Sequence, residues 1–351
     1  MLKKLFLIVP VVILFACGSH TDENATNSNI EQAVYERTEI HMGTAIEIRI
    51  FHEDMDDVLD QAFEEVARLE EMLTVNDDTM NSEVEAVNAG AGINPVVVSE
   101  QTFTFIYDAL AFADESDGIF NIAIGALTRL WNIGFEDASV PDEAKINEIL
   151  PLLDYRLVSL DSDASTIFLE KEGMRLDLGG VAKGFMADEI ALLLRENGVT
   201  NAIINMGGDI FGMGGNPSND YWNIGIRDPF SGPADRGIIG AIAAHDMAVA
   251  TSGIYERYIE QDGIIYHHKF DPQTGFPFDS DVVSVSILAA SGFLGEVYTT
   301  IVFALGIEAG LAYIESIEGV EALFISADHG IYLTSGLVDV FTLHADDFEI
   351  R

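Results

Sequence analysis

The amino-acid sequence predicts an α+β fold, a single large domain in which mixed, largely antiparallel sheets pack with helices. Ile46, Ile48 and Ile50 alternate with polar residues, as in a strand that is buried on one face. Residues 56–72 instead place their apolar side chains on one face of a helix. Strand-like and helix-like segments then follow one another without an internal repeat or a clear internal linker. This mixture within 351 residues is typical of an α+β protein.

The remaining elements are predicted from turn residues, caps and periodicity. A short strand over 175–177 is expected to run into Gly179 and Gly180 and then into a helix that Gly198 closes. Further helices are expected from Ser99 to about 117, over 142–150 and over 295–306. Strands are expected over 157–169 as a hairpin, and over 201–212, 221–229, 247–251, 264–268, 282–290, 322–333 and 338–343.

The first seventeen residues have the charged, apolar and small-residue parts of a secretory signal. Lys3 and Lys4 precede an apolar run, 5–15, that is too short to span a bilayer as a permanent helix. Cys17, the only cysteine, directly follows Leu14-Phe15-Ala16, as in a bacterial lipobox. We therefore expect cleavage before Cys17 and lipid attachment to it. The alternative is a buried cysteine without a role.

This interpretation predicts three regions and a location. Residues 1–17 are a lipoprotein signal peptide, the polar residues 18–33 are a flexible linker, and 34–351 form the folded domain. The mature protein is then expected to be extracytoplasmic, lipid-anchored to the bacterial membrane and facing the periplasm.

The net charge of the chain limits the classes of molecule that the protein can bind. With 59 acidic and 17 basic residues the formal net charge is −42. Nucleic acid is excluded as a partner, because binding a polyanion requires clustered cations. We interpret the acidity as an adaptation of the surface to a saline habitat. Any anionic substrate must then be met by a metal ion or by one of the few lysines and arginines.

The stretch from Arg175 to Asp188 is a candidate anion site. Asp177 precedes the glycine pair 179–180, and a helix that carries Lys183 and Gly184 in its first turn follows. Glycines permit close backbone approach and a helix N-terminus offers free N–H groups, so the junction suits a phosphate or diphosphate. The same pattern also fits a simple corner between two elements, and it matches neither a Walker nor a Rossmann motif.

Seven short motifs occur in the order found in one family, the FAD:protein FMN transferases or ApbE flavin transferases. From about residue 34 to 345 the chain resembles that family. The motifs are Met42-Gly-Thr44, Ser82-Glu83 with Asn88, Gly118-X-Phe120 followed by Leu130-Trp131, Asp177-Leu-Gly-Gly-Val-Ala-Lys-Gly184, Asn205-X-Gly-Gly-Asp209, Thr251-Ser-Gly253 with Tyr255-Glu-Arg257, and His268-X-X-Asp-Pro-X-Thr-Gly275.

The resemblance implies a magnesium-dependent enzyme that splits FAD and joins FMN to a threonine of an acceptor flavoprotein through a phosphoester, releasing AMP. The implied acceptors are subunits of membrane redox complexes or extracytoplasmic reductases. An acidic protein that handles a diphosphate needs a divalent cation to neutralise it, and Mg²⁺ takes oxygen ligands.

By resemblance, the metal is held by Gly180, Glu296 and Thr300. The spacing of four residues puts Glu296 and Thr300 on one helix face. The sequence departs from the family here, because Glu296 stands where Asp is usual, and this places the choice of Mg²⁺ over another divalent cation in doubt. The alternative for Thr300 is a hydroxyl that bonds back to its own helix.

His268 is assigned as the general base, since imidazole titrates near neutral pH. The neighbouring His267 is expected on the opposite face of the strand, as a bystander. Asp209 is assigned to orienting the site, and Thr274 and Lys183 to contacts with FAD. Arg257 is expected to form a structural ion pair.

The resemblance also implies flavin contacts at Met42, Gly118, Ile119, Phe120 and Asp177. Many family members stack an aromatic residue on the flavin, and Asn76 is the nearest match to that residue here. One lost aromatic pair is worth about 1 kcal/mol and could open the diphosphate to water. FAD hydrolysis to FMN and AMP is therefore an alternative activity, and a non-catalytic FAD-binding lipoprotein is another. A general solute-binding lipoprotein would need two similar lobes, which the sequence does not indicate.

Overall fold

The computed structural model describes residues 34–75, 82–232 and 237–351, and its helices and strands are interspersed along the chain. The predicted leader, the linker, Cys17 and Asn76 lie outside the described residues. The helices are α1 (Asp56–Leu73), α2 (Glu83–Ala89), α3 (Glu100–Glu115), α4 (Gly125–Trp131), α5 (Glu143–Ile149), α6 (Ala182–Glu196), α7 (Gly292–Leu305) and α8 (Ile307–Ile314), with single 3₁₀ turns at Leu150–Leu152, Tyr155–Leu157 and Ser335–Leu337.

The strands belong to four sheets. They are β1 (Val34–His41), β2 (Thr44–Phe51), β3 (Val96–Val97), β4 (Val158–Asp161), β5 (Thr166–Leu169), β6 (Ala202–Met206), β7 (Asp209–Met213), β8 (Trp222–Arg227), β9 (Ile238–Ala244), β10 (Met247–Gly253), β11 (Tyr258–Gln261), β12 (Ile264–His267), β13 (Val282–Ala289), β14 (Glu321–Ser326), β15 (Gly330–Leu333), β16 (Phe341–Leu343) and β17 (Glu349–Ile350).

A nine-stranded sheet in the order β1-β2-β6-β7-β10-β13-β14-β15-β17 forms the centre of the fold. All its neighbouring strands are antiparallel except β15 and β17. Smaller sheets are β16-β9-β8, β3-β5-β4 and the hairpin β11-β12. The predicted α+β class with largely antiparallel sheets is confirmed.

The central sheet is covered on both faces, which explains why all eight residues of β13 are buried. Ile287 belongs to the core beneath helices α1, α3, α6 and α7, whereas its neighbour Leu288 belongs to the core shared with the β16-β9-β8 sheet. Phe324 and Leu323 of β14 divide in the same way. This division follows from the alternation of side chains along a strand.

The periodic segments were predicted well, but residues 175–177 were not. Helix α1 ends one residue beyond the predicted 56–72, strand β2 contains the alternating Ile46, Ile48 and Ile50, and α6 holds Lys183 in its first turn. The expected strand at 175–177 is wrong, because Arg175 makes only an isolated bridge with Ile124. In the described part of the chain, no helix combines the length and apolar character needed to cross a bilayer.

Candidate active site

One cavity of about 720 Å³ collects residues from distant parts of the chain. The glycine corner after residue 177 and the late helix α7 both line it, so the predicted meeting of Gly180 and Thr300 at one pocket is observed. The predicted site residues in its wall are Ile119, Phe120, Asp177, Gly180, Lys183, Asp209, His268, Glu296 and Thr300.

Of the other four predicted residues, the three that the structure describes are not in that wall. Met42 has a positive φ of 50° in the β1–β2 turn, and its N–H donates to Glu70. Gly118 packs beneath Tyr155, whose ring a Cβ would meet at 3.1 Å. Thr274 is exposed and donates within its own turn to Asp271 at 2.9 Å. The fourth, Asn76, is outside the described residues.

The approach to the glycine corner is held on one side by the backbone of residues 122–125, where Gly125 N–H donates to the Arg175 carbonyl at 3.0 Å and Asp177 N–H donates to the Ile122 carbonyl at 2.8 Å, and elsewhere by side chains. The buried amide of Asn88 accepts from Leu176 N–H at 2.6 Å and donates to the Leu176 carbonyl at 3.1 Å. Asp177 then accepts from the Thr128 hydroxyl at 2.6 Å and from Gly179 N–H at 2.8 Å. These bonds fix the chain as it enters α6 and leave the open side of the turn towards the cavity.

Helices α6 and α7 touch backbone to backbone beside the cavity. A Cβ on Gly184 would lie 2.2 Å from the Gly292 carbonyl oxygen, and one on Gly292 would lie 2.7 Å from that of Gly184. Asp188 of α6 ties the contact, because its carboxylate accepts from Gly292 N–H at 2.7 Å and from Phe293 N–H at 3.0 Å. The two helices therefore bring Lys183 and Glu296 to one place.

Lys183 forms the most strongly paired charge cluster in the site. Its ammonium contacts one oxygen of Glu296 and lies 2.9 Å from Asp209. The second oxygen of Glu296 accepts from Gly184 N–H at 2.7 Å. Burial alone would lower the pKa of Lys183, but the carboxylates of Asp209 and Glu296 outweigh it and raise that pKa. Burial also raises the pKa of Glu296, against the effect of Lys183.

Asp209 is positioned by a two-residue hairpin between β6 and β7. Gly207 and Gly208 both have positive φ, 71° and 115°, a conformation that the tightest hairpin loops require and that favours glycine. The other carboxylate oxygen of Asp209 accepts from Thr251 N–H at 2.9 Å. The Gly-Gly-Asp motif thus delivers a fixed acceptor to Lys183.

The two adjacent histidines differ in which nitrogens are free. Both nitrogens of buried His267 are used, since one lies 3.2 Å from the Phe278 carbonyl and the other accepts from Lys269 N–H at 3.2 Å. His268 uses only Nδ1, which must donate to the Arg257 carbonyl at 3.1 Å because a carbonyl only accepts. The neutral imidazole of His268 therefore keeps an unshared pair on Nε2.

The surroundings keep both rings neutral. Burial, followed by the positive charge of Lys269, lowers the pKa of His268 to about 3. Burial is also the main cause of the lowered pKa of His267, about 4. A negatively charged ligand beside Lys269 would oppose that effect and raise the pKa of His268. Arg257 forms no ion pair within the described residues, so the expected structural pair is wrong, and its backbone carbonyl orients His268 instead.

The sequence analysis missed several residues in this wall. Lys269 and Ser252 line the cavity, and Lys269 Nζ donates to Ser252 Oγ at 2.7 Å. Arg227 also lines it, with its guanidinium 5.2 Å from the Tyr255 ring centre and a buried Nε that has no partner within the described residues. Because lysines and arginines are few in this chain, each one near a motif is a candidate ligand contact, and Lys269 and Arg227 qualify on that ground as well as Lys183 and Arg257.

The oxygen donors of the site are hard and few. Among the described residues no three His, Cys, Asp or Glu side chains form a metal cluster. The predicted set contributes one carboxylate, one hydroxyl and one carbonyl, all hard ligands of the type that Mg²⁺ takes. Nothing lies within 4 Å of a Cβ built on Gly180, so the space over that glycine is open. Thr300 Oγ1 lies 3.4 Å from the Glu296 carbonyl, so its hydroxyl bonds back to its own helix, as in the alternative given for Thr300 in the sequence analysis.

A glycine corner at a helix N-terminus, a lysine between two carboxylates and a neutral histidine with a free nitrogen define an enzyme site for a phosphorylated substrate. Comparison with known proteins agrees. The ApbE family model matches residues 42–324, and the chain belongs to the ApbE family.

Similar proteins cover almost the whole domain. A FAD:protein FMN transferase of Klebsiella pneumoniae (strain 342) is 37% identical over 305 residues, which is 87% of this chain and 93% of that protein. Another, of Treponema pallidum (strain Nichols), is 38% identical over 322 residues, 87% of this chain and 88% of that protein.

Solved structures have the same fold. The crystal structure of the ApbE protein of Thermotoga maritima matches with a TM-score of 0.77 at 29% identity, covering 87% of this chain and 98% of that one. The flavin transferase ApbE of Vibrio cholerae matches with a TM-score of 0.76 at 25% identity, covering 88% and 99%.

Proposed function

We propose that this protein transfers FMN from FAD to an acceptor protein. The observation that carries the proposal is the single cavity in which the glycine corner, the Lys183 cluster and the free Nε2 of His268 meet. The fold and the names of the relatives support the same reaction.

The chemistry assigned to the residues is a displacement at phosphorus. An acceptor hydroxyl oxygen forms a bond to the FMN phosphorus, the bond from that phosphorus to the bridging oxygen breaks, and AMP leaves. His268 Nε2 takes the hydroxyl proton. Within the described residues the N–H of Gly180 has no partner, and it holds the phosphates together with the ammonium of Lys183. Ile119, Phe120 and Asp177 line the part of the cavity assigned to the flavin.

A divalent cation, proposed to be Mg²⁺, fits the oxygen donors. Gly180, Glu296 and Thr300 would hold it. Such an ion neutralises the diphosphate and polarises its phosphoryl oxygens. The open space over Gly180 and the hard donor set support this assignment. Lys183 now contacts Glu296, so we infer that metal and lysine share that carboxylate.

A metal titration tests the ligand assignment. Glu296→Ala should raise the Mg²⁺ concentration needed for half-maximal AMP release at least tenfold. Glu296→Asp keeps a carboxylate and should bring that concentration most of the way back to the wild-type value. An unchanged titration curve in Glu296→Ala would remove Glu296 from the metal site.

The acceptor and the location are also proposals. We infer that a threonine of an extracytoplasmic or membrane-bound flavoprotein receives FMN, and that Cys17 carries a lipid that holds the enzyme at the periplasmic face of a membrane. Growth with labelled palmitate should label the protein but not a Cys17→Ser variant. Equal labelling of both would contradict the anchor.

The deciding assay incubates residues 18–351 with FAD, Mg²⁺ and a threonine-bearing acceptor domain. We expect a fluorescent acceptor band that survives denaturation, together with one AMP per label. AMP without a labelled acceptor would instead support FAD hydrolysis. Absence of AMP with tight FAD binding would support a binding protein without catalysis.

A further inference from the structure

Lys269 is a cation without a counter-charge in the candidate active site. Its half-buried side chain lines the cavity directly after His268, and no carboxylate within the described residues pairs with it. Two carboxylates that line the same cavity, Asp209 and Glu296, are both engaged by Lys183. An enclosed and unpaired ammonium is costly, so its presence indicates a ligand that supplies the missing negative charge.

The hydrogen bonds around Lys269 have a fixed direction. Thr299 Oγ1 donates to the Glu296 carbonyl at 2.8 Å, and Ser252 Oγ donates to Thr299 Oγ1 at 3.0 Å. Ser252 has thus spent its proton and accepts from Lys269 Nζ at 2.7 Å. An ammonium has three N–H groups, so two remain for a ligand in the cavity.

The charge environment agrees with this geometry. Burial is the main cause that lowers the pKa of Lys269 to about 8, and repulsion from Lys183 adds to it. The carboxylates of Glu296, Asp209 and Glu256 act in the opposite direction but do not cancel the effect. A phosphoryl group beside the ammonium would restore its ordinary protonation.

We propose that Lys269, held by Ser252, forms a subsite for the phosphoryl oxygens of a nucleoside diphosphate. The inference rests on the proposed function, since FAD is the diphosphate that it assigns to this cavity. Lys183 would be neutralised largely by protein carboxylates, and Lys269 by the substrate. The subsite would therefore recognise the diphosphate of FAD and not its flavin.

Binding measurements without metal test the subsite directly. The EDTA-treated protein is titrated with FAD, with ADP as a diphosphate lacking flavin, and with riboflavin as a flavin lacking phosphate. Lys269→Met should weaken FAD and ADP binding at least tenfold and leave riboflavin binding within twofold. Lys269→Arg should keep most of the affinity. Lys145→Met, which removes an exposed lysine of α5, is the matched control and should change none of the three.

The outcomes separate this inference from the proposed function. Equal weakening of all three ligands, or no weakening of ADP, overturns the subsite. If Lys269→Met does not fold, Ser252→Ala provides the same test with a smaller loss, about threefold to tenfold, confined to FAD and ADP. If Lys269→Met selectively loses FAD and ADP binding but the wild-type protein releases no AMP, the subsite is supported and the proposed transfer is contradicted. If Lys269→Met binds ADP normally while the wild-type protein transfers FMN, the subsite alone is contradicted.

Discussion

Two lysines face the same cavity and differ in what surrounds them. Lys183 lies between two carboxylates, in a network that includes the N–H of Gly184 and holds α6 against α7. Lys269 touches a single hydroxyl, and its neighbour His268 keeps a free ring nitrogen. The wall of the cavity around Lys183 leaves that ammonium one N–H group for a ligand, whereas the wall around Lys269 leaves two N–H groups and a base. The comparison teaches that the hydrogen-bonding capacity a charged group has left indicates how much of its charge a ligand must neutralise.

The largest expected effect on activity belongs to His268, in the part of the cavity wall around Lys269. His268→Ala should lower FMN transfer on the order of a hundredfold to ten-thousandfold, because the acceptor hydroxyl loses its proton acceptor. FAD binding, measured by flavin fluorescence, should change little. His267→Gln is the control, since both nitrogens of His267 serve the fold, and its turnover should stay within a few-fold of wild type. Equal losses in the two variants would contradict the assignment.

The second prediction contrasts the two lysines in stability. Lys183→Met leaves two enclosed carboxylates without their cation and should cost about 3 to 5 kcal/mol of unfolding free energy in urea. Lys269→Met removes an unpaired charge and should cost nothing or raise stability. If Lys269→Met proved as destabilising as Lys183→Met, the contrast between the walls would be lost.

The third prediction concerns acid sensitivity near His267. Its pKa is about 4 in the folded protein and 6.5 in its ordinary state, so below 6.5 the unfolded chain binds a proton that the folded one does not. The contribution of His267 to stability should therefore fall by about 3 kcal/mol as pH drops from 6.5 towards 4, and the lowered pKa of His268 adds a separate loss in the same range. His267→Gln should flatten this part of the curve. Identical wild-type and variant slopes between pH 5 and 6.5 would contradict a neutral buried ring.

The smallest expected effect separates the surface from the site. With 59 acidic and 17 basic residues, the fold should melt at a higher temperature in molar salt than in dilute buffer. ADP binding should weaken only modestly under the same change, because enclosed charges are screened less than exposed ones. A melting temperature that falls with salt would contradict the saline interpretation of the acidity.

The sequence predicted well what depends on local pattern. Alternation identified β2, the apolar stripe identified α1, and glycines marked the ends of α6 and α7. Resemblance to a family then supplied the pairing of the glycine corner with α7, which no local pattern contains. Lys183 and Glu296, which both line the cavity, were among the residues named in advance.

What the sequence did not predict depends on contacts between distant residues. Residues 175–177 look like a strand, but residues 122–125 bond to one side of them over a single bridge and the amide of Asn88 bonds to Leu176, so no strand ladder forms. Lys269 looks like an ordinary strand-end lysine, and its lack of a counter-charge becomes visible only when Lys183 is seen to occupy both carboxylates. The free nitrogen of His268 likewise depends on a carbonyl eleven residues away.

The contact of Gly184 with Gly292 has a consequence for how this enzyme tolerates change. The gap between the phosphate-facing corner and the proposed metal-bearing helix is set there by main chain against main chain, so no rotamer can absorb an added methyl group. A mutational scan should therefore show two intolerant positions that carry no functional group. The spacing of the two helices at the active site therefore depends on the absence of side chains at Gly184 and Gly292.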